Sequence, residues 1–203
     1  MYKRFMASCT ALVALAVLAL APAASASPVL TESGTALAVG SSVLTKSTGG
    51  IVFTGAFNAN CSLAEAVGTV TANTGSQIKG EIPIGGTKVG GTGASGDCTS
   101  SLGAVAVSVT SKVCTETVKG TDQVKLTGCG GNIAFTATIT GSGVCKYTST
   151  SMTGTFVTNT DAGLKLSEQE VKLSEGGIFC PSSGKVDVDS DETTTNGTTL
   201  FVS

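Results

Sequence analysis

Apolar and polar residues alternate with period two in three stretches: Ala104-Val105-Ala106-Val107-Ser108-Val109, Ile133-Ala134-Phe135-Thr136-Ala137-Thr138-Ile139 and Val186-Asp187-Val188-Asp189. Each places Val, Ile or Phe on one side of an extended chain, as a half-buried strand requires. Shorter runs of Val, Ile, Thr and Phe between Gly, Ser, Asn and Asp predict further strands at 35–39, 43–46, 51–57, 67–72, 77–82, 113–119, 122–127, 144–149, 153–158, 163–167, 170–174 and 198–202. Only Ser62-Leu63-Ala64-Glu65-Ala66 reads as helical, for one turn. Gly120-Thr121 fits a two-residue hairpin turn between Cys114 and Cys129. The segment Gly85 to Gly96, with six Gly in twelve residues, reads as a long mobile loop. The pattern therefore predicts an all-β protein of antiparallel sheets packed as a sandwich in one compact domain, with two β subdomains as the alternative.

The start of the chain follows a different rule. Lys3 and Arg4 precede the apolar run Ala11 to Ala21, and Ala24-Ser25-Ala26 offers a small-residue cleavage site, which together read as a secretory leader over 1–26. The apolar run is shorter than the roughly 20 residues of a membrane-spanning helix, so no membrane insertion is expected once the leader is removed. Cys9 lies before the apolar stretch, where a lipid-modified Cys would follow it, and so leaves with the leader. Cleavage after Ala26 leaves a mature domain, 27–203, without His, Arg or Trp. Ten Lys then face fourteen acids, a charge of −4 (10 − 14). No basic patch remains to neutralise phosphates, which argues against nucleic acid and anionic lipid as partners.

Six Cys survive: Cys61, Cys98, Cys114, Cys129, Cys145 and Cys180. An even count in an exported chain, without close C-x-x-C pairs or neighbouring His, predicts three disulfides and not a metal centre. In the expected hairpin register Cys114 faces position 127, so a bridge to Cys129 needs a diagonal contact or a bulge near Gly128.

An internal repeat over about 61–110 and 145–190 suggests the rest of the pairing. Gly68-Thr69-Val70-Thr71-Ala72-Asn73-Thr74 parallels Gly154-Thr155-Phe156-Val157-Thr158-Asn159-Thr160, and Cys98-Thr99-Ser100-Ser101 parallels Cys180-Pro181-Ser182-Ser183. The offsets are 86 residues between the Asn-Thr pairs, 84 from Cys61 to Cys145 and 82 from Cys98 to Cys180. If the halves share a fold, Cys61 bonds Cys98, Cys145 bonds Cys180, and Cys114 is left for Cys129. Chance similarity in a chain so rich in Thr, Gly and Ser is the competing explanation.

Several segments also carry a resemblance: Gly93-Ala94-Ser95-Gly96-Asp97-Cys98-Thr99-Ser100-Ser101-Leu102-Gly103, Gly143-Val144-Cys145-Lys146-Tyr147, Cys180-Pro181-Ser182-Ser183-Gly184-Lys185 and Leu200-Phe201-Val202-Ser203. Over most of residues 60–203 the chain resembles a group of secreted, cysteine-containing, β-rich proteins of high-GC Gram-positive bacteria. That group commonly has a Trp before the third mature Cys, where Val113 stands here. The resemblance implies export and the cysteine framework, and implies no activity.

The remaining chemistry is sparse. Without His, a His-dependent triad cannot form, and the commonest metal ligand is missing. The run Asp187-Val188-Asp189-Ser190-Asp191-Glu192 makes Asp187, Asp189 and Asp191 weak candidates for a cation. A helix-loop-helix calcium loop would need Gly where Glu192 sits and Glu where Thr198 sits. The simpler expectation is a strand with Val186 and Val188 inward and Asp187 and Asp189 solvated, running into an acidic turn. Ser182-Ser183-Gly184-Lys185 has the S-x-x-K spacing of serine acylases, yet it reads as a turn into a strand, without the companion motifs. No phosphate loop is present, and one mature Tyr with six Phe is little for stacking on sugars.

These exclusions lead to an expectation of an exported, non-enzymatic structural or binding protein of the cell envelope or extracellular space. It has no cofactor or catalytic residue assigned, and its partner is an unspecified extracellular protein or polymer. A carboxylate-pair hydrolase, or an inhibitor presenting the loop Phe179 to Lys185, are the alternatives.

Overall fold

The computed structural model describes residues 29–55, 58–75, 77–91, 98–118, 121–157 and 162–202. The expected leader, Gly120, the Asn159-Thr160 part of the repeat and residues 92–97 lie outside them. The described residues are all-β, and every strand pairing is antiparallel.

Three long strands organise the molecule. β3 (Ser42–Gly55), β15 (Gly163–Glu175) and β16 (Ser183–Thr194) lie side by side with β16 in the middle. At one end, β4 (Ala59–Cys61), β8 (Cys98–Ser100), β9 (Gly103–Val109), β12 (Ile133–Ile139) and β13 (Gly143–Ser149) lead from β3 back to β15. At the other, β14 (Met152–Val157), β11 (Gln123–Gly128), β10 (Val113–Thr117), β6 (Gln77–Ile82) and β5 (Leu63–Thr74) lead from β15 back to β3. The pairings β13–β15 and β3–β5 close two eight-membered circuits that share the long trio. Each closed circuit removes the open edges that a flat sheet would present.

Bulges on both sides of β16 separate the two lobes. On β3, Thr48, Gly49 and Gly50 fall between the pairs Ser47↔Ser190 and Ile51↔Val188, opposite Asp189 alone. On β15, Ser167 and Glu168 fall between Leu166↔Val188 and Gln169↔Val186, opposite Asp187 alone. Extra residues bend a strand and increase its twist. Glu168 adopts φ 50°, and its N–H donates to Asp187 Oδ1 at 2.7 Å while its carboxylate pairs with Lys185 Nζ at 3.1 Å. Gly50 has φ 82°, and a Cβ there would run into the Cys61 carbonyl oxygen.

The period-two segments supply the core as expected. Val105 and Val107 on β9, Ile133, Ala137 and Ile139 on β12, and Cys145 and Tyr147 on β13 are buried. The second lobe is filled by Val43, Val70, Ile78, Leu126, Phe156 and Leu164. A separate small sheet, β1 (Leu30–Glu32) between β2 (Thr35–Ala36) and β17 (Leu200–Val202), brings Leu30, Leu37 and Leu200 into the same core.

Four sequence expectations need correction. Residues 62–66 are not helical: Leu63 to Ala66 open β5, where pairing with β7 (Thr87–Gly90) overrides helical propensity. That strand lies in the stretch 85–96 expected to be a loop, because Thr87-Lys88-Val89 pairs with Ala64 to Ala66, the part of β5 that extends past β6. The pairs 43–46 with 51–57, and 163–167 with 170–174, are two strands and not four, since bulges carry the chain through Gly49-Gly50 and Ser167-Glu168. The acidic run does not turn; β16 continues to Thr194, held by β3 on one side and, to Asp191, by β15 on the other.

Candidate functional site: two lumens and a locked turn

The six cysteines form three bonds: Cys61–Cys98, Cys114–Cys129 and Cys145–Cys180. The Cys61–Cys98 bond joins adjacent strands, beside the Asn60↔Thr99 pair, with Cα atoms 4.4 Å apart and both residues buried. Cys114 faces Thr127 as the hairpin register requires, and Cys129 reaches it diagonally from just past the end of β11, its N–H donating to Lys112 O at 3.0 Å. Cys145–Cys180 ties β13 to the connection between β15 and β16. Within that connection Cys180 N–H donates to Gly177 O at 3.0 Å, making a tight turn that holds Ile178 94% and Phe179 62% exposed. From there the loop Phe179 to Lys185 runs into β16 at Ser183, and Lys185 of the S-x-x-K spacing pairs with Glu168.

The acidic run divides by parity. Asp187, Asp189 and Asp191 share one face of β16, Asp189 and Asp191 being exposed and Asp187 accepting the Glu168 N–H. Alternate residues on a strand stand about 6.6 Å apart, and among the described residues these three are not gathered at ligand distance. The described residues gather only Glu81, Cys114 and Cys129 in that way. The two sulfurs there are bonded to each other, and Glu81 is paired with Lys112.

Glu192 belongs to the opposite face, with Val186, Val188 and Ser190. Parity along β16 carries this signal, although the run reads first as a cluster of equivalent acids. Ser190 is buried and donates to Leu164 O at 2.9 Å. The Glu192 N–H donates to Ala162 O at 2.6 Å, while its carboxyl has no hydrogen-bond or ion-pair partner among the described residues. Burial pushes that carboxyl up from 4.5 to about 7, because the charged form loses water.

Among the described residues, internal spaces lie along the molecule. A small apolar one of about 30 Å³ in the first lobe touches Phe53, Phe135 and Tyr147, and burial there raises the Tyr147 phenol to about 12. A second of about 120 Å³, lined by Ile51, Val113, Met152 and Leu166 among others, lies where the lobes meet. The third, about 160 Å³, is the lumen of the second lobe, to which every strand of that circuit and Leu30 of the small sheet contribute. Glu192 lines this third space.

Comparison with protein-family models, with curated proteins and with solved structures gives no match. Three intramolecular disulfides fit an oxidising, extracellular environment. Among the described residues, no helix is long and apolar enough to cross a membrane.

Proposed function

We propose that this is an exported, non-enzymatic binding or structural protein of the cell envelope or extracellular space. The observation that carries the proposal is the disposition of the acids. Hydrolysis by paired carboxylates needs two of them across a cleft, roughly 5 to 10 Å apart. Here Glu65, Glu81, Glu116, Glu168 and Glu175 are each engaged by a Lys on the outside of the strands. Asp189 and Asp191 project from the outer face of β16, and Glu192 faces a lumen. The disulfides and the shared trio make a stiff body suited to presenting a surface.

The expected export by a cleaved leader, and the relation between the two halves, belong to the same proposal. Each half runs from the first lobe into the second and back, β4 through β5 and β6 to β8 and β9, and β13 through β14 to β15 and β16. A pull-down with the mature, oxidised protein against its own culture's envelope and medium tests the function. Specific retention of one polymer or protein is expected. Turnover of a glycan or peptide that is lost on changing a single Asp or Glu to its amide would replace the proposal with the hydrolase.

The exposed Ile178-Phe179 turn favours a second reading, an inhibitor offering this segment to a protease. Protease assays decide it: absence of inhibition together with cleavage between Phe179 and Lys185 removes that reading.

A further inference from the structure

We propose that the lumen of the second lobe is a binding site for a small primary amine with an apolar body, its ammonium seated on the Glu192 carboxylate. The wall is mostly aliphatic and aromatic, including Val43, Val70, Leu126, Phe156 and Leu164. An apolar body of modest size fits a space of about 160 Å³, since a cavity of about 150 Å³ in another protein accepts benzene. Against this wall stands one acid with no partner among the described residues.

An ionised carboxylate in such surroundings is costly unless a cation pairs with it. Among the described residues, the lumen does not supply that cation. Lys79 is at its rim and pairs with Glu116 at 3.3 Å, while Glu81, also at the rim, pairs with Lys112. A ligand ammonium would provide the missing charge, with a charge-assisted hydrogen bond to Glu192. Thr45, Thr115 and Ser190 line the same space, and a hydroxyl oxygen turned toward the ligand can accept one of its other N–H groups. A ligand carboxylate would meet only like charge at Glu192, and a neutral alcohol would leave that charge uncompensated.

Proton linkage follows from the geometry. The ammonium pairs with the ionised form, so binding displaces the Glu192 proton when the carboxyl is protonated. With Glu192 titrating at about 7, apparent affinity for the amine should be about tenfold weaker at pH 6 than at pH 8. Lys79 and Glu81 are the other charged residues among the described ones that line the lumen, and each is already paired, with Glu116 and Lys112.

This inference rests on the binding reading above, and the test separates the two. The mature, oxidised protein is titrated with n-pentylamine and, in parallel, with 1-pentanol, following the methyl resonances of Val43, Val70 and Leu164 by NMR. Saturable shifts with the amine are expected at pH 8, at least about tenfold tighter than with the alcohol. Glu192→Gln should bring amine and alcohol to within about twofold of each other, while leaving the folded spectrum in place. Equal affinity for amine and alcohol in the unaltered protein, amine binding unchanged in E192Q, or no saturable shift would each overturn the lumen site. None of those results bears on whether the pull-down recovers an envelope polymer.

Discussion

The Asn73 side chain stands in for a missing strand beside Leu30: its Nδ2 donates to Leu30 O at 2.7 Å and its Oδ1 accepts from Leu30 N at 2.9 Å. The same Nδ2 also donates to Leu37 O at 2.8 Å. One amide therefore docks the β1–β2 hairpin, and with it the Leu30 side chain, onto the second lobe. Asn73→Ala leaves these backbone groups without that partner and should cost about 2 to 4 kcal/mol. Asn73→Asp should cost at least as much, because a carboxylate would face the Leu30 and Leu37 carbonyls with no hydrogen to donate. Equilibrium denaturation measures the loss, and faster amide exchange at Leu30 and Leu37 would locate it. Unchanged exchange there would contradict the docking role.

Gly50 sits where β3 bends between the two circuits, with its α-carbon against the Cys61 carbonyl. Gly50→Ala adds both a steric collision with backbone and a strained φ of 82°, and should destabilise by about 3 kcal/mol or more. Gly49 next to it has open space around the position of a Cβ. Gly49→Ala should therefore change stability by less than about 1 kcal/mol. Comparable losses at the two sites, measured by urea denaturation, would show that the bulge tolerates a Cβ and that the bend is set elsewhere.

What the sequence revealed and what it concealed divide along physical lines. Alternation exposed β9 and β12, because a strand half in the core writes its period into the residues. Cysteine spacing and the repeat pointed to all three bonds, since a covalent pairing has few possible partners. Gly49-Gly50 and Ser167-Glu168 read as breaks because a bulge uses turn residues without ending the strand. β4, β7 and β8 are three or four residues long and owe their form to neighbours distant in sequence. Circuit closure through β13–β15 and β3–β5 is likewise a long-range fact with no local mark. The lumen carboxyl was half legible: parity puts Glu192 with Val186 and Val188, but only closure of the second circuit turns that face into an interior.

The disulfides differ in access, and reduction should follow that order. Cys61 and Cys98 are 0% and 1% exposed, whereas Cys114 and Cys129 are half-buried at the end of a hairpin. Thiolate attack needs contact with sulfur, so mild reductant on the folded protein should open Cys114–Cys129 well before Cys61–Cys98. Alkylation followed by peptide mass spectrometry reads the sequence of events. Removing the first bond by paired Ser substitutions should cost about 3 kcal/mol for a sequence separation of 15, and removing the Cys61–Cys98 bond about 4 kcal/mol for 37. Simultaneous release of all three pairs would mean that reduction proceeds through global unfolding and that accessibility in the folded state does not govern it.

Glu192 makes stability depend on pH in a direction opposite to that of a salt-bridged acid. Its folded carboxyl titrates at about 7 against an ordinary 4.5, so between those values the folded state binds more protons than the unfolded one. Stability then falls as pH rises through this window. Below about pH 4.5 the group is neutral in both states and imposes no penalty; above about pH 7 it is ionised in both, and the penalty is complete. The full difference corresponds to at most about 3 kcal/mol. Facing groups do not reverse the sign, because Lys79 and Glu81 at the lumen rim are paired with Glu116 and Lys112, and burial alone drives the shift. Glu192→Gln keeps the shape and removes the charge. It should raise stability by about 1 to 3 kcal/mol at pH 8 and leave it nearly unchanged at pH 4. Urea denaturation of both proteins at the two pH values supplies the comparison. A variant that gains nothing at pH 8 would place the carboxylate in water and not in the lumen.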